Sequence, residues 1–192
     1  MKKCGSDKGS LRSWHNYTCV YSVLFRKYRS QPGRIFEIGL GSNNFGCREG
    51  ASLRAWRELF PRVLVYGADI DRALLFQEER IKTFYCDQLD QAAILQLWSQ
   101  PDLQRPLDVI IDDGLHTFEG NISFLDSSID HLSPGGLYIV EDIEQEAVAR
   151  WHDRIETIYS KRYPTYEFVF VVLPHAVNHH DNNLLVIRAC RG

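Results

Sequence analysis

Two short stretches of the sequence place acidic side chains directly after apolar runs. The first, IIDDGLH, covers residues 110–116, and the second, LYIVEDI, covers residues 137–143. Charged pairs in such positions are costly to bury unless something binds them. Carboxylate oxygens are preferred ligands of hard cations such as Mg²⁺, and a neutral imidazole accepts a proton near neutral pH. The two stretches therefore suggest either a carboxylate site for a divalent cation with a histidine base beside it, or aspartates that only cap the helices after each strand.

The segments that must position these side chains alternate between strand and helix patterns. Apolar runs rich in β-branched and aromatic residues predict strands at 34–40, 63–70, 81–86, 107–113, 137–142, 166–174 and 183–190. Helical spacing of apolar residues predicts helices at 15–28, 49–60, 90–100, 117–132 and 144–161. The last two strands have no helix between them, so we expect them to form an antiparallel hairpin.

This alternation is typical of the α/β class. It predicts a doubly wound, mostly parallel, seven-stranded sheet of the Rossmann-like type, with helices on both faces and the hairpin at its C-terminal end. A length of 192 residues suits a single domain, residues 1–192. We expect residues 1–30 to cover the cofactor and substrate and residues 33–192 to form the core. Ligands of such sheets bind at the carboxyl ends of the strands, so the residues that follow each strand are the informative ones.

The turn after the first predicted strand reads FEIGLGSNN and contains Glu37, Gly39, Gly41 and Ser42. Glycines permit a tight turn and let a ligand lie close to the backbone. The third glycine of a dinucleotide-binding fingerprint would fall at Asn44, which disfavours a pyrophosphate site. The turn alone is also compatible with a purely structural role for its two glycines.

Acidic residues follow the other predicted strands. Asp69 is placed to accept hydrogen bonds from ribose hydroxyls and Asp87 to meet the amine of a base, although each can also simply cap a helix. Asp112 should point to the opposite face of the sheet from Asp113 and support the cofactor side. A nucleoside pocket with carboxylates and no phosphate site favours S-adenosylmethionine, which carries a positive sulfonium, over a dinucleotide.

Five segments, read in order, resemble the class I S-adenosylmethionine-dependent methyltransferases. They are FEIGLGSNN, YGADID, FYCDQ, IIDDGLH and GGLYIVEDI. More narrowly, they resemble the metal-dependent sugar O-methyltransferases of macrolide biosynthesis and relatives often labelled cephalosporin hydroxylase. The N-terminal SDKGSLRSWHNYT is similar to a segment of the same group, so the resemblance covers residues 6–143.

The resemblance implies two cofactors, S-adenosylmethionine and Mg²⁺, and a set of roles. The metal ligands are implied to be Asp113, Glu141 and Asp142, with His116 as the general base. The implied cofactor-binding residues are Glu37, Gly39, Gly41, Ser42, Asp69, Asp87 and Asp112. Leu115 departs from the family, which usually has serine between the glycine and the histidine.

The expected activity is methyl transfer to a hydroxyl of a small-molecule acceptor, a sugar or a glycosylated natural product. Two alternatives stay open at this point. One is a protein that binds S-adenosylmethionine without catalysis, and the other is a Rossmann-type oxidoreductase that uses NAD(P).

Composition argues against several partners. A formal net charge of -3 predicts no attraction to nucleic acid or to anionic membranes. Five scattered cysteines, never in a C-x-x-C pair, suggest a reducing cytoplasm, and no apolar run approaches the ~20 residues that span a bilayer. A homo-oligomer is compatible with the sequence.

Overall fold

A computed structural model describes residues 5–9, 14–41 and 49–190. Ser42, one of the predicted cofactor residues, lies outside these ranges. The strands are β1 (Gly33–Ile38), β2 (Val63–Asp69), β3 (Gln77–Glu78), β4 (Ile81–Tyr85), β5 (Leu107–Asp112), β6 (Leu132–Val140), β7 (Tyr166–Val172) and β8 (Asn183–Ala189). They form one sheet in the order β3-β4-β2-β1-β5-β6-β8-β7.

The sheet is mostly parallel and confirms the predicted fold class. Strands β4, β2, β1, β5 and β6 run parallel to one another. Strand β8 is antiparallel to β6, and β7 is antiparallel to β8, which gives the expected hairpin.

The predicted number of strands was one too small. All seven predicted strands are present, and the eighth is β3, which pairs antiparallel with β4. A strand of two residues, Gln77–Glu78, is too short to produce an alternating pattern in the sequence.

Six helices surround the sheet in the described part of the chain. They are α1 (Thr18–Leu24), α2 (Ala51–Leu59), α3 (Gln91–Trp98), α4 (Phe118–Ser128), α5 (Val148–Arg154) and α6 (Ser160–Arg162). A π-helical stretch, Ile155–Tyr159, joins α5 to α6.

Several predicted boundaries were wrong, and the structure gives a physical reason for two of them. The first helix ends at Leu24, because Phe25 leaves helical geometry (φ -99°, ψ 12°) and a 3-10 turn follows. Strand β6 begins at Leu132 instead of Leu137, with a register shift against β5. Gly136 allows this close approach, since an added Cβ would lie 2.8 Å from the carbonyl oxygen of Ser133.

Apolar layers cover both faces of the sheet. Neighbouring strand residues alternate between the two layers, so that Ile35 packs in one and Phe36 in the other. Strands covered on both faces explain the nearly continuous apolar runs in the sequence. Among the described helices, none is both long and apolar enough to cross a membrane.

Candidate active site

The site lies where the strand order reverses, between β1 and β5. The chain builds outward from β1 through β2 to β4 on one side and from β5 to β6 on the other. A cavity of about 910 Å³ opens at the carboxyl ends of these strands. Its lining includes Lys8, Gly39, Asp69, Asp113, His116 and Asp142. This is the position where ligands bind in doubly wound sheets.

Two of the three carboxylates predicted as metal ligands, Asp113 and Asp142, line this cavity, and the third, Glu141, is buried beside them. Strands β5 and β6 pair up to Asp112 and Val140, so the residues that follow them lie side by side. The amide of Glu141 donates to the carbonyl of Asp112 at 2.9 Å. Glu141 is fully buried and Asp142 is 5% exposed. The expectation that the two acidic stretches meet at one site is thus met by the geometry.

A lysine that the sequence analysis did not single out completes the cluster. The ammonium of Lys8 donates to Oδ2 of Asp113 at 2.6 Å and also to Oε2 of Glu141. It lies 3.9 Å from Oε1 of Glu37, and the lysine is 2% exposed. The one available signal was the SDKGS segment, whose resemblance gave Lys8 no role.

Aromatic residues of the N-terminal region contact the same carboxylates. The hydroxyl of Tyr17 donates to Oδ1 of Asp142 at 2.7 Å, and the hydroxyl of Tyr21 donates to Oε1 of Glu141. Nε2 of His15 lies 3.4 Å from Oδ2 of Asp142. These three side chains were also missed, because contacts between residues 120 or more positions apart leave no local pattern.

The imidazole of His116 faces two of these carboxylates. Nε2 of His116 lies 3.4 Å from Oδ1 of Asp113 and 3.7 Å from Oδ2 of Asp142. Ligand atoms of the three residues all lie within 4.8 Å of one another. Two carboxylate oxygens with room for further ligands fit a divalent cation, and the imidazole nitrogen lies beside them as a candidate base. Glu141 lies in the same buried cluster, with its oxygens engaged by Lys8 and Tyr21.

The backbone is strained at two of these residues. His116 has φ 59° and Asp142 has φ 54°, both in the left-handed region. Arg80 is the third non-glycine residue with positive φ in the described part of the chain. Such conformations cost ~1–3 kcal/mol each and persist where the surroundings hold them for function. The strain therefore coincides with the carboxylate and histidine cluster.

The electrostatics of the cluster favour a bound cation. Burial disfavours ionisation of Asp113, but the charges of Lys8 and His116 outweigh it and lower its pKa to about 2. Burial raises the pKa of Asp142 to about 6 and, helped by Asp113, raises that of Glu141 well above the usual value. Burial disfavours the imidazolium of His116, yet its contacts with Asp113 and Asp142 raise its pKa to about 10. The raised pKa values of Glu141, Asp142 and His116 mean that added positive charge near these carboxylates is favourable.

The glycine turn after β1 forms the cofactor side of the cavity. The amide of Leu40 donates to Oδ2 of Asp69 at 2.8 Å, which ties the turn to the end of β2. Gly39 has φ 93°, and an added Cβ would lie 1.9 Å from the carbonyl oxygen of Asp113. Gly41 has φ 79° and open space around it among the described residues. Gly39, Gly41 and Asp69 all line the cavity, as predicted cofactor residues should.

The other described cofactor candidates do not line the cavity. Glu37 is fully buried and accepts a hydrogen bond from Nε1 of Trp56 at 2.6 Å. Asp87 accepts one from the amide of Leu89 at 2.9 Å, within the turn that leads to α3. These contacts make them supports of the turns around the site. Their predicted cofactor contacts stay predictions.

Asp112 is held by a glutamine on the far side of the turn. Nε2 of Gln88 donates to both of its oxygens at 2.7 and 2.9 Å, and Oε1 of Gln88 accepts from the amide of Leu115 at 2.9 Å. The side chain of Leu115 is 47% exposed. Gln88 contacts only the backbone amide of Leu115, so leucine in place of the family's usual serine leaves this hydrogen bond intact.

Several known proteins are similar to this chain in sequence. The chain is 37% identical to 8-demethyl-8-alpha-L-rhamnosyl tetracenomycin-C 2'-O-methyltransferase of Streptomyces olivaceus, over 73% of this chain and 35% of that protein. It is 37% identical to demethylmacrocin O-methyltransferase of Streptomyces fradiae, over 68% of this chain and 32% of that protein. The chain thus spans about a third of the length of these curated relatives. No protein-family model matches.

A solved structure shares the fold and part of the sequence. It is the MycE methyltransferase from the mycinamycin biosynthetic pathway, in complex with Mg, SAH and mycinamycin VI. The match has a TM-score of 0.73 and 27% identity and covers 99% of this chain and 53% of that one.

Proposed function

Because this chain is a class I S-adenosylmethionine-dependent methyltransferase by fold and a relative of the macrolide sugar O-methyltransferases by sequence, we propose that it is an O-methyltransferase. In this proposal it transfers a methyl group from S-adenosylmethionine to a hydroxyl of a sugar or glycosylated natural product, with Mg²⁺. The observation that carries the proposal is the cluster of Asp113, Asp142 and His116 on the wall of the cavity formed by the glycine turn.

The cofactor side needs only contacts that class I sites provide. Gly39 and Gly41 let the backbone approach the ligand closely, since neither has a side chain in the turn. Asp69 holds the turn through Leu40 and has carboxylate oxygens at the cavity for the hydroxyls of a ribose. These residues would bind the cofactor in the cavity that Asp113 and His116 also line.

The acceptor side needs a base and a means of activating a weak nucleophile. When bound, Mg²⁺ would supply Lewis-acid polarisation of the acceptor hydroxyl. Asp113 and Asp142 would hold the ion, together with Glu141 as the resemblance implies. His116 takes the hydroxyl proton at Nε2 as the new carbon–oxygen bond forms and the carbon–sulfur bond of the cofactor breaks.

The protonation state of His116 links its role as a base to the charge at the carboxylates. The contacts of His116 with Asp113 and Asp142 raise its pKa and keep it protonated at neutral pH, and a protonated imidazole cannot act as a base. Positive charge at Asp113 and Asp142 lowers that pKa. The base is therefore expected to work only when the carboxylates are neutralised.

The proposal is tested by following formation of S-adenosylhomocysteine with a panel of rhamnosides and other glycosides as acceptors. We expect turnover that stops in excess EDTA and returns when Mg²⁺ is added back. Undiminished turnover in excess EDTA would contradict the metal requirement. Binding of S-adenosylmethionine without turnover on any hydroxyl acceptor would favour a non-catalytic role.

A further inference from the structure

Lys8 is the one buried lysine among the residues that the structure describes. Its ammonium contacts carboxylates from the ends of two strands, Asp113 after β5 and Glu141 after β6. Both are predicted metal ligands. No step of the proposed reaction uses this lysine.

We infer that the ammonium of Lys8 supplies positive charge to the carboxylate cluster when no divalent cation is bound. When a divalent cation binds, Lys8 releases at least one of its two carboxylates. The inference rests on the proposed function for its metal site and adds a competing cation that belongs to the chain itself. Lys8 is then a positioning residue, which acts through Asp113 and Glu141.

The contacts that each carboxylate oxygen makes support this role. Lys8 binds Oδ2 of Asp113, while Oδ1 of the same carboxylate faces His116. The ammonium and Tyr21 together engage both oxygens of Glu141. Asp113 can therefore keep Lys8 and bind a metal at once. Glu141 becomes a metal ligand only by releasing Lys8 or Tyr21 or by sharing an oxygen.

Burial explains why such a residue is needed. Buried carboxylates without a partner are strongly destabilising, so a cluster of three would repel itself when the metal is absent. Lys8 and Glu141 are both almost entirely removed from solvent, and Asp113 is 18% exposed. An ammonium at this position lets the strand ends assemble before the metal arrives.

The position of Lys8 in the chain links this exchange to the cofactor cavity. Lys8 lies in the 3-10 turn Asp7–Gly9, and Gly5, Ser6 and Asp7 line the cavity beside it. Release of Lys8 from Glu141 therefore loosens one wall of the cofactor site. Cation occupancy and the position of this segment should change together.

The test compares Mn²⁺ affinity in Lys8→Met with that in the wild type. Removal of the competing ammonium should lower the Kd for Mn²⁺ by tenfold or more, measured by calorimetric titration of EDTA-treated, dialysed protein. Lys8→Arg keeps a positive charge and should stay close to the wild type. Lys82→Met is the matched control, because Lys82 pairs with Asp102 on the surface with its side chain 39% exposed.

A second measurement separates exchange from simple packing. Cation-free Lys8→Met should melt at a lower temperature than the wild type, and saturating Mn²⁺ should restore most of the loss. If Lys8→Met fails to fold without metal, Lys8→Gln gives the same test, because its amide keeps a hydrogen bond without the charge.

The outcomes distinguish the inference from the proposed function. An unchanged or weaker Mn²⁺ affinity in Lys8→Met, with normal binding by the wild type, would overturn the role of Lys8 alone. A loss in melting temperature that is equal with and without Mn²⁺ would overturn it as well. Absence of Mn²⁺ binding in the wild type and in every variant would contradict both the metal site and the exchange.

Discussion

Gly39 and Gly41 share a left-handed backbone but differ in what a side chain would meet. A methyl group at Gly39 would collide with the carbonyl of Asp113, whereas at Gly41 it would meet no described atom within 4 Å. Gly39→Ala should therefore destabilise the protein by ~3 kcal/mol or more and weaken binding of S-adenosylhomocysteine at least tenfold. Gly41→Ala should cost only ~1–2 kcal/mol, the strain of a left-handed alanine. Urea unfolding and ligand titration check both values, and equal effects at the two positions would contradict the described packing.

His116 can be tested without disturbing its backbone. Asparagine tolerates the left-handed conformation better than most residues, so His116→Asn should leave stability within ~1 kcal/mol of the wild type. Loss of the base should lower turnover by about 10²–10⁴-fold. Binding of S-adenosylhomocysteine should be unchanged. A variant that retains full turnover would show that another group takes the proton.

The sequence was enough to predict the carboxylates of the site but not the residues that contact them. Asp113, Glu141 and Asp142 could be predicted to meet because each follows a strand and the carboxyl ends of parallel strands share one edge. Lys8 and Tyr17 could not be placed, because a segment far away in sequence brings them onto those carboxylates. Ser42 lies outside the described residues, so its cofactor role stays a prediction.

The short strand β3 is joined to α2 by an ion-pair network. Glu78 accepts from Nε of Arg54 at 2.9 Å and from Nη1 of Arg57 at 2.6 Å. The hydrogen bond from Arg54 is the main cause that holds the pKa of Glu78 below 4.5. A carboxyl whose pKa is lower in the folded state stabilises the fold above its unfolded pKa and loses this effect as the pH falls through the folded value.

Glu78→Gln should consequently lower the free energy of unfolding by ~0.5–1 kcal/mol at pH 7. The difference from the wild type should shrink as the pH falls below the usual pKa of a glutamate and should vanish below the lowered pKa of the folded state, where the wild-type carboxyl is also neutral. Glu167→Gln is the control, because Glu167 lies 3.6 Å from Arg188 with both side chains more than half exposed. Urea unfolding at several pH values measures the effect. A deficit in Glu78→Gln that stays constant down to pH 3 would contradict this account.

Strands were predicted correctly where their apolar sequence pattern is long. The central strands β1, β2, β4 and β5 agree with the sequence to within two residues, because strands buried on both faces must be apolar throughout. Strand β3 was missed because it has two residues. The early start of β6 was missed because its first residues include a proline and two glycines, which normally indicate a turn.

For the whole molecule, ligand-induced stabilisation separates the function classes. A ligand at 100 times its Kd stabilises the folded state by ~2.7 kcal/mol, which raises the melting temperature of a chain of this size by about 5–10 °C. S-adenosylhomocysteine should give such a shift, and NAD⁺ at the same concentration should give none. The opposite result would restore the oxidoreductase alternative.

The strand order could be anticipated only in outline. Alternation of strands and helices predicted a parallel sheet with a switch point, and the order around β1 places that point at the carboxylate cluster. The boundaries of the single domain, the cytoplasmic location and any homo-oligomer stay predictions from the sequence. Local sequence patterns carry no signal for these three properties.

The central claim is that the carboxylate cluster binds a divalent cation beside the cofactor. It is tested most directly by a crystal structure with S-adenosylhomocysteine and Mn²⁺, examined for anomalous scattering. We predict cofactor density against Gly39 and Asp69 and an anomalous peak in contact with carboxylate oxygens of Asp113 and Asp142. Bound S-adenosylhomocysteine with no anomalous peak at these carboxylates, in crystals saturated with Mn²⁺, would contradict the claim.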